Sequence, residues 1–345
     1  MSRKLITIST IMTLMSTSVI ADVPNVAADI APIHSLVSRV MDGVGAPKLI
    51  VQSGASPHGY RLRPSEAKAL QDADHVFWMG EELTPWLDSA IGTLASKASV
   101  TTLLDQQGVI LHDFREGALF EAHDHSAHGD DDHDDHDDHD DHDDHDDHDD
   151  HKDHDAHDDH DDHKDHDDHD DHDDHGSHDP HAWLSPENAK LWLNIIASKL
   201  SVSDPENAAT YFMNAAAGQA EIEVMIAEVK ATLKPVQGGK FVVFHDAYQY
   251  FENDFDFYAS GAISLGDSSD PSPARIEKVQ KRIRDEGIQC VLAEPQFKKG
   301  LVATVMEGSD ATASVIDPLG TELETGPKLY TRLIKNMAKT LRNCL

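Results

Sequence analysis

The chain has 345 residues but only two cysteines, few aromatics (6%), and 28 lysines and arginines against 64 aspartates and glutamates. Each shortage excludes something. Two cysteines without CxxC spacing supply neither a thiolate zinc cluster nor a redox dithiol. The deficit of positive charge argues against a nucleic-acid backbone as partner. Beyond residue 20 no stretch reaches 18 apolar residues, so no membrane-spanning helix is expected there. There is no HExxH and no compact ligand pair beside a base, which argues against a zinc hydrolase and for a non-enzymatic protein.

The formal charge of −36 sits mostly in one place. Residues 121–180 hold 31 acids, two lysines and 19 of the 25 histidines, and contribute −29; the other 285 residues sum to −7. From His133 to His181 a histidine recurs at every third position, with Asp-Asp filling most gaps. Period three matches neither helix nor strand and leaves no apolar face to bury, so this tract is expected to be extended and disordered. Imidazole and carboxylate both ligate first-row divalent ions, and histidine favours Zn, Ni and Cu over Mg and Ca. Flexible donors at this density gather several ions weakly rather than building one rigid site. A solvated repeat spacer at a loop tip is the alternative.

The chain starts with a short basic stretch, Met1-Ser-Arg-Lys4, residues 5–20 are apolar and hydroxyl-bearing, and Val19 and Ala21 precede Asp22. This pattern predicts an export signal cleaved after Ala21. Export brings an oxidising compartment, in which Cys290 and Cys344 read as one disulfide; two unpaired thiols are the alternative.

Short strands alternate with helices along the rest. Strands are expected at 26–28, 48–51, 75–78, 100–104 and 109–111, with helices at 33–41, 64–70 and 81–91. Ser185-Pro-Glu starts a helix with a hydroxyl cap, Pro at the first position and an acid in the first turn. A longer helix follows over 205–233, with Gly218 as its one glycine. The grammar then repeats: strands at 241–244, 288–293 and 313–316, helices at 274–286, 301–307 and 329–341. The fold class is α/β: two small lobes with parallel-type sheets, joined by a long rigid helix. The expected organisation is a signal peptide at 1–21, a first lobe at 22–204 interrupted by the tract at 121–180, a linking helix at 205–235 and a second lobe at 236–345. A single large α/β domain is the rival.

Six histidines lie outside the tract's 121–180 window: His34, His58, His75, His112, His181 and His245. His58 follows the 48–51 strand and its turn, His245 directly follows 241–244, and Asp317 directly follows 313–316. His181 sits where the tract meets the Ser185 helix cap. Ligands of open parallel sheets collect at the carboxyl ends of strands. Two histidines from the first lobe with one histidine and one aspartate from the second suit a tetrahedral zinc site of N and O donors. Their wide separation in sequence implies a site formed where the lobes meet. His75 and His112 read as structural and His34 as a support. Glu294 is a carboxylate near the cleft that backs a ligand or replaces one; Asp246 and Glu252 are lesser candidates.

Five stretches carry a resemblance together that none carries alone: GASPHGYRLRP at 54–64, DPHAWLS at 179–185, VFHDAY at 243–248, LAEPQF at 292–297 and IDPLG at 316–320. With them the chain resembles the periplasmic zinc-binding proteins of ABC importers, within the metal-binding solute-binding proteins that also serve manganese. The resemblance spans nearly everything after residue 21. It implies the metal ligands His58, His181 and His245, with Asp317 or a water completing the shell. Manganese-type relatives carry a carboxylate where this chain has His245, which favours zinc. It also implies a Cys290–Cys344 disulfide, lobes that close by small motions, and a His- and Asp-rich loop between the first two ligand motifs. The tract here is unusually long and regular. The implied function is capture of Zn2+ in the periplasm and delivery to the transmembrane subunits of an ABC permease, by a monomer that meets the membrane only at the transporter. A manganese or nickel importer's binding protein, or a periplasmic zinc buffer without a transporter, are the alternatives.

Overall fold

The computed structural model describes residues 23–115, 120, 178–264, 271–296 and 299–345. The expected signal peptide and nearly all of the histidine–aspartate tract lie outside the described residues.

The first lobe runs β1 (Val26–Ala28), α1 (Ala31–Val40), β2 (Lys48–Leu49), α2 (Pro64–Gln71), β3 (His75–Trp78), α3 (Pro85–Leu94) and β4 (Ser99–Thr102). Its sheet is parallel in the order β2-β1-β3-β4. Val26 pairs with His75 and Ala28 with Phe77. Beyond the tract come α4 (Pro186–Ser203) and α5 (Ala208–Leu233). The second lobe then repeats the plan: β5 (Phe241–His245), α6 (Gln249–Phe255), β6 (Ala262–Ser264), α7 (Pro273–Glu286), β7 (Cys290–Ala293), α8 (Lys299–Met306), β8 (Thr312–Val315) and α9 (Leu329–Cys344). Its sheet order, β6-β5-β7-β8, is that of the first with the strands renumbered, again parallel.

Local chemistry accounts for the element starts. Pro opens α2, α3, α4 and α7, where its missing N–H costs nothing. The hydroxyls of Ser185 and Ser272 accept the N–H of Asn188 and Arg275 as caps. The helix expected at 81–91 begins instead at Pro85, because the proline at its first position sets the boundary. The central strands β1, β3 and β5 are buried along their whole length, as parallel strands covered on both faces must be.

One expected strand is absent among the described residues. At 109–111 no strand forms; Ile110 N donates to Asn188 Oδ1 and Ile110 O accepts from Asn188 Nδ2. The side-chain amide takes the bonds a neighbouring strand would have made. Conversely, α6 and β6 lie in a stretch left without elements in the sequence reading.

The long helix α5 spans about 39 Å at 1.5 Å per residue. Its buried residues Tyr211, Ala215, Gly218, Ile222, Met225, Val229 and Leu233 form one stripe at spacings of three or four. A Cβ on Gly218 would lie 3.0 Å from Leu193 and 3.1 Å from Arg39, so glycine is what lets α4 and α1 approach α5 there. The helix packs on α4, α1 and α9, and one apolar core runs from β1 and α1 through α4 and α5 into β5 and α9. Polar bonds pin the lobes along this seam. Trp183 Nε1 donates to Pro318 O at 2.9 Å, Ser35 Oγ to Gly326 O at 2.8 Å, and Tyr330 N to Ser35 Oγ at 3.0 Å. The Cys290–Cys344 disulfide ties the start of β7 to the end of α9.

Candidate metal centre

His245 is the last residue of β5, and Glu294 directly follows β7. These are neighbouring strands at the point where the order of the second sheet reverses, so the two side chains meet across the gap. His245 Nδ1 lies 2.6 Å from Glu294 Oε1, and Gln296 Nε2 donates to the other carboxylate oxygen at 2.9 Å. Glu294 is 3% exposed and His245 likewise 3%. The phenol of Tyr248, which lies beside Glu294, is pushed well above its ordinary pKa by burial and by that carboxylate.

His181 is prepared in the same manner. Asp179 precedes it by two residues, and Asp179 Oδ1 accepts both His181 N at 3.0 Å and His181 Nδ1 at 2.6 Å. This is an Asx turn whose acceptor also orients the ring. The ring is nearly buried against Trp183, with centroids 5.2 Å apart.

With each Nδ1–H given to a carboxylate, each Nε2 carries a lone pair. In that tautomer the two lone pairs face each other, His245 Nε2 and His181 Nε2 being 3.4 Å apart. Two such groups repel unless a cation lies between them, a shared proton or a metal ion. Two nitrogens bound to one tetrahedral zinc at 2.0–2.1 Å stand about 3.3 Å apart. The pair thus has the spacing of one edge of a zinc tetrahedron, and each imidazole is backed by a carboxylate as metal-bound histidines usually are.

His58 supplies a third ring. It sits half-buried in the loop after β2, its centroid 5.5 Å from that of His181; His181 and His245 are 5.2 Å apart. Imidazoles sharing one tetrahedral ion have centroids about 5 Å apart. The loop is held from both sides. Trp86 Nε1 donates to Pro57 O at 2.7 Å, Tyr60 donates to the buried Glu66 at 2.8 Å, and Ser56 Oγ accepts His58 N at 3.3 Å. Among the described residues no three or more His, Cys, Asp or Glu side chains stand close enough together to hold a metal ion as they are placed here, so His58 has yet to join the His181–His245 pair.

Asp317 is close enough to Tyr248 to help raise its pKa, and is differently employed. Oδ1 accepts Leu319 N and Gly320 N at 3.0 and 2.9 Å, and Oδ2 accepts Thr321 N and Oγ1 at 2.6 and 2.8 Å. Four donors fill the four lone-pair sites of a carboxylate. His34 and His75 are engaged elsewhere, His34 Nε2 with Pro47 O at 3.2 Å and His75 Nε2 with Ser203 Oγ at 2.7 Å. His112 packs on Tyr250, its Nε2 3.0 Å from Asn253 Nδ2. Asp246 and Glu252 both bind Arg115. Sequence reasoning missed Asp179 and Arg115. The Asp-Pro-His spacing of an Asx turn was a usable signal for the first; nothing in the sequence pointed to the second.

Two parallel α/β lobes pinned along a long helix, with carboxylate-oriented imidazoles converging from strand ends and loops, define a metal-binding solute-binding protein. Residues 26–344 match the family described as zinc-uptake complex component A, periplasmic, and the chain belongs to that family. It is 48% identical over 320 residues to the high-affinity zinc uptake system protein ZnuA of Brucella abortus, covering 93% of this chain and 91% of that protein. With the protein of the same description from Paracoccus denitrificans it shares 44% over 326 residues, 94% of this chain and 93% of the other. A crystal structure of ZnuA shares the fold, with a TM-score of 0.67 at 19% identity over 94% of this chain and 99% of the other. The protein is therefore a periplasmic, non-catalytic carrier with Zn2+ as its cargo.

Proposed function

We propose that the tight zinc is held by His58, His181 and His245, and that the loaded protein delivers it to the transmembrane subunits of an ABC permease. The carrying observation is the pair of Nε2 atoms brought within 3.4 Å of each other, each ring fixed from behind by a buried carboxylate. The protein acts as a monomer, exported by cleavage after Ala21. It divides into a first lobe at 22–204, a linking helix at 205–235 and a second lobe at 236–345, with the tract at 121–180 as an ion-gathering insert. The fourth donor is Asp317 or a water. The four hydrogen bonds already made by Asp317 support the water.

Titration calorimetry on a variant lacking 123–178 tests this reading. One tight Zn2+ per chain is expected, with Mn2+ failing to displace it. His58→Ala or His245→Ala in that background removes the tight step. Its survival in either variant overturns this ligand set, and its loss on deletion alone makes the tract itself the site. Asp317→Asn separates the two fourth donors: a change below about 10-fold fits water, and a loss above about 100-fold fits direct ligation.

A further inference from the structure

The two ends of the chain that bracket the tract come together on the second lobe. Asp113 and His178 form an antiparallel bridge, with His178 Nδ1 2.8 Å from Asp113 Oδ1. Asp179 N donates to His112 O at 2.7 Å. Both ends are fastened to α6 by one tyrosine, since Tyr250 OH accepts His112 N at 3.1 Å and donates to Asp179 O at 2.7 Å. Ser185 Oγ adds a bond to Asp254 at 2.8 Å.

Arg115 closes this arrangement. Its guanidinium comes from the chain entering the tract and reaches two acids of the second lobe. Nε lies 3.0 and 3.1 Å from the Asp246 oxygens, and Nη1 lies 2.6 Å from Glu252 Oε2. Nη2 also bonds Asp246, and Cζ sits 3.6 Å above the Phe120 ring. The side chains of Arg115, Asp246 and Glu252 are 16, 6 and 1% exposed. Burial opposes the charge on Arg115, but Glu252 and Asp246 outweigh it and raise the guanidinium pKa.

Asp246 directly follows His245 and is close enough to Asp179 and His181 to feel both electrostatically. Four carboxylates, Asp179, Asp246, Glu252 and Glu294, are thus buried here, the first and last on the imidazoles and the other two on Arg115. Two of them orient rings. The other two have no ring to hold, and Asp246 without a cation beside it is a hard oxygen donor one residue from a ligand. A guanidinium binds two carboxylates in fixed directions, which a single ammonium cannot do.

We propose that Arg115 is a positioning residue for the zinc site: it holds Asp246 and Glu252 away from the metal and fixes the β5–α6 corner that presents His245. The inference rests on His245 being a ligand, and the test separates the two. In the full-length chain, the tight site is read by competition with a chelating fluorescent indicator at substoichiometric Zn2+, and its geometry by the visible spectrum of bound Co2+. Arg115→Ala is expected to bind about 10-fold or more weakly, as losses behind a metal ligand do, and to alter the Co2+ spectrum as Asp246 enters the shell. Asp246→Asn in the Arg115→Ala background returns the spectrum to that of the unmodified chain, and Arg115→Lys recovers only part of the affinity. If Arg115→Ala fails to fold, the uncharged combination Arg115→Met, Asp246→Asn, Glu252→Gln replaces it, with the lowered affinity still expected and the original spectrum kept. Unchanged affinity and spectrum in a folded Arg115 variant overturn the proposal. A tight ion that survives His245→Ala instead overturns the ligand set on which it rests.

Discussion

Asp29 and His245 hold corresponding places in the two lobes, at the end of the strand beside which each sheet reverses its order. In the second lobe this place carries the proposed ligand His245. In the first it is plugged: Asp29, fully buried, accepts Ile30 N and Met79 N at 2.7 Å each and so staples the ends of β1 and β3. Burial pushes its carboxyl from 3.8 up to about 7, against the pull of those backbone bonds. A carboxyl raised in the folded state holds its proton more tightly there than in the unfolded chain. Its stabilising contribution is complete below pH 3.8 and is lost as pH rises through about 7. Asp29→Asn removes the titration. Urea unfolding at pH 5 and pH 8 is expected to show the unmodified protein losing stability relative to Asp29→Asn at the higher pH; parallel behaviour would contradict the shifted carboxyl. Three ligand candidates were readable because a histidine after a strand-like run or beside a helix cap has a position as well as a chemistry. The engagement of Asp317 was not, since IDPLGT does not reveal that the turn will consume all four lone pairs of its own aspartate.

At the scale of elements, prolines and apolar runs made most boundaries readable, while α6 and β6 were not. The stretch that forms them mixes buried Tyr250, Phe251 and Phe255 with acids and has no clean period, because Glu252 is buried for Arg115 rather than exposed to solvent. The last helix is the opposite case. Leu329, Tyr330, Leu333, Ile334, Met337, Ala338 and Leu341 form a stripe that packs on α1 and α5. Cys344 at its end closes a separation of 54 residues to Cys290. Chain entropy for such a loop is worth up to about 4 kcal/mol, so replacing both cysteines by serine should cost about 2–4 kcal/mol. Because α9 carries none of the proposed ligands, chemical denaturation should show that loss while calorimetry still finds one tight zinc per chain. Loss of the tight ion would mean that the helix also shapes the cleft.

Among the described residues there are two sheets but one central core that serves both. Val26 and Ala28, Leu36, Trp192, Tyr211, Met225, Val243 and Leu333 belong to one buried cluster that runs through both lobes, and only the outer faces of the sheets have clusters of their own. Unfolding either lobe alone would strip apolar surface from α1, α4, α5 and α9 together, at about 25 cal/mol for each Å² exposed. The same continuity limits how far the lobes can swing, because the helices that would have to slide are those that make the core. About four-fifths of the excess charge lies in a tract whose only apolar residues are three alanines and a proline. A variant lacking 123–178 is therefore expected to unfold in one calorimetric transition, with van't Hoff and calorimetric enthalpies equal. Zinc at 1,000 times its dissociation constant should raise that single transition by about 4 kcal/mol of stability. Two separable peaks, only one of them moved by zinc, would show that the lobes fold independently and that the shared core does not couple them.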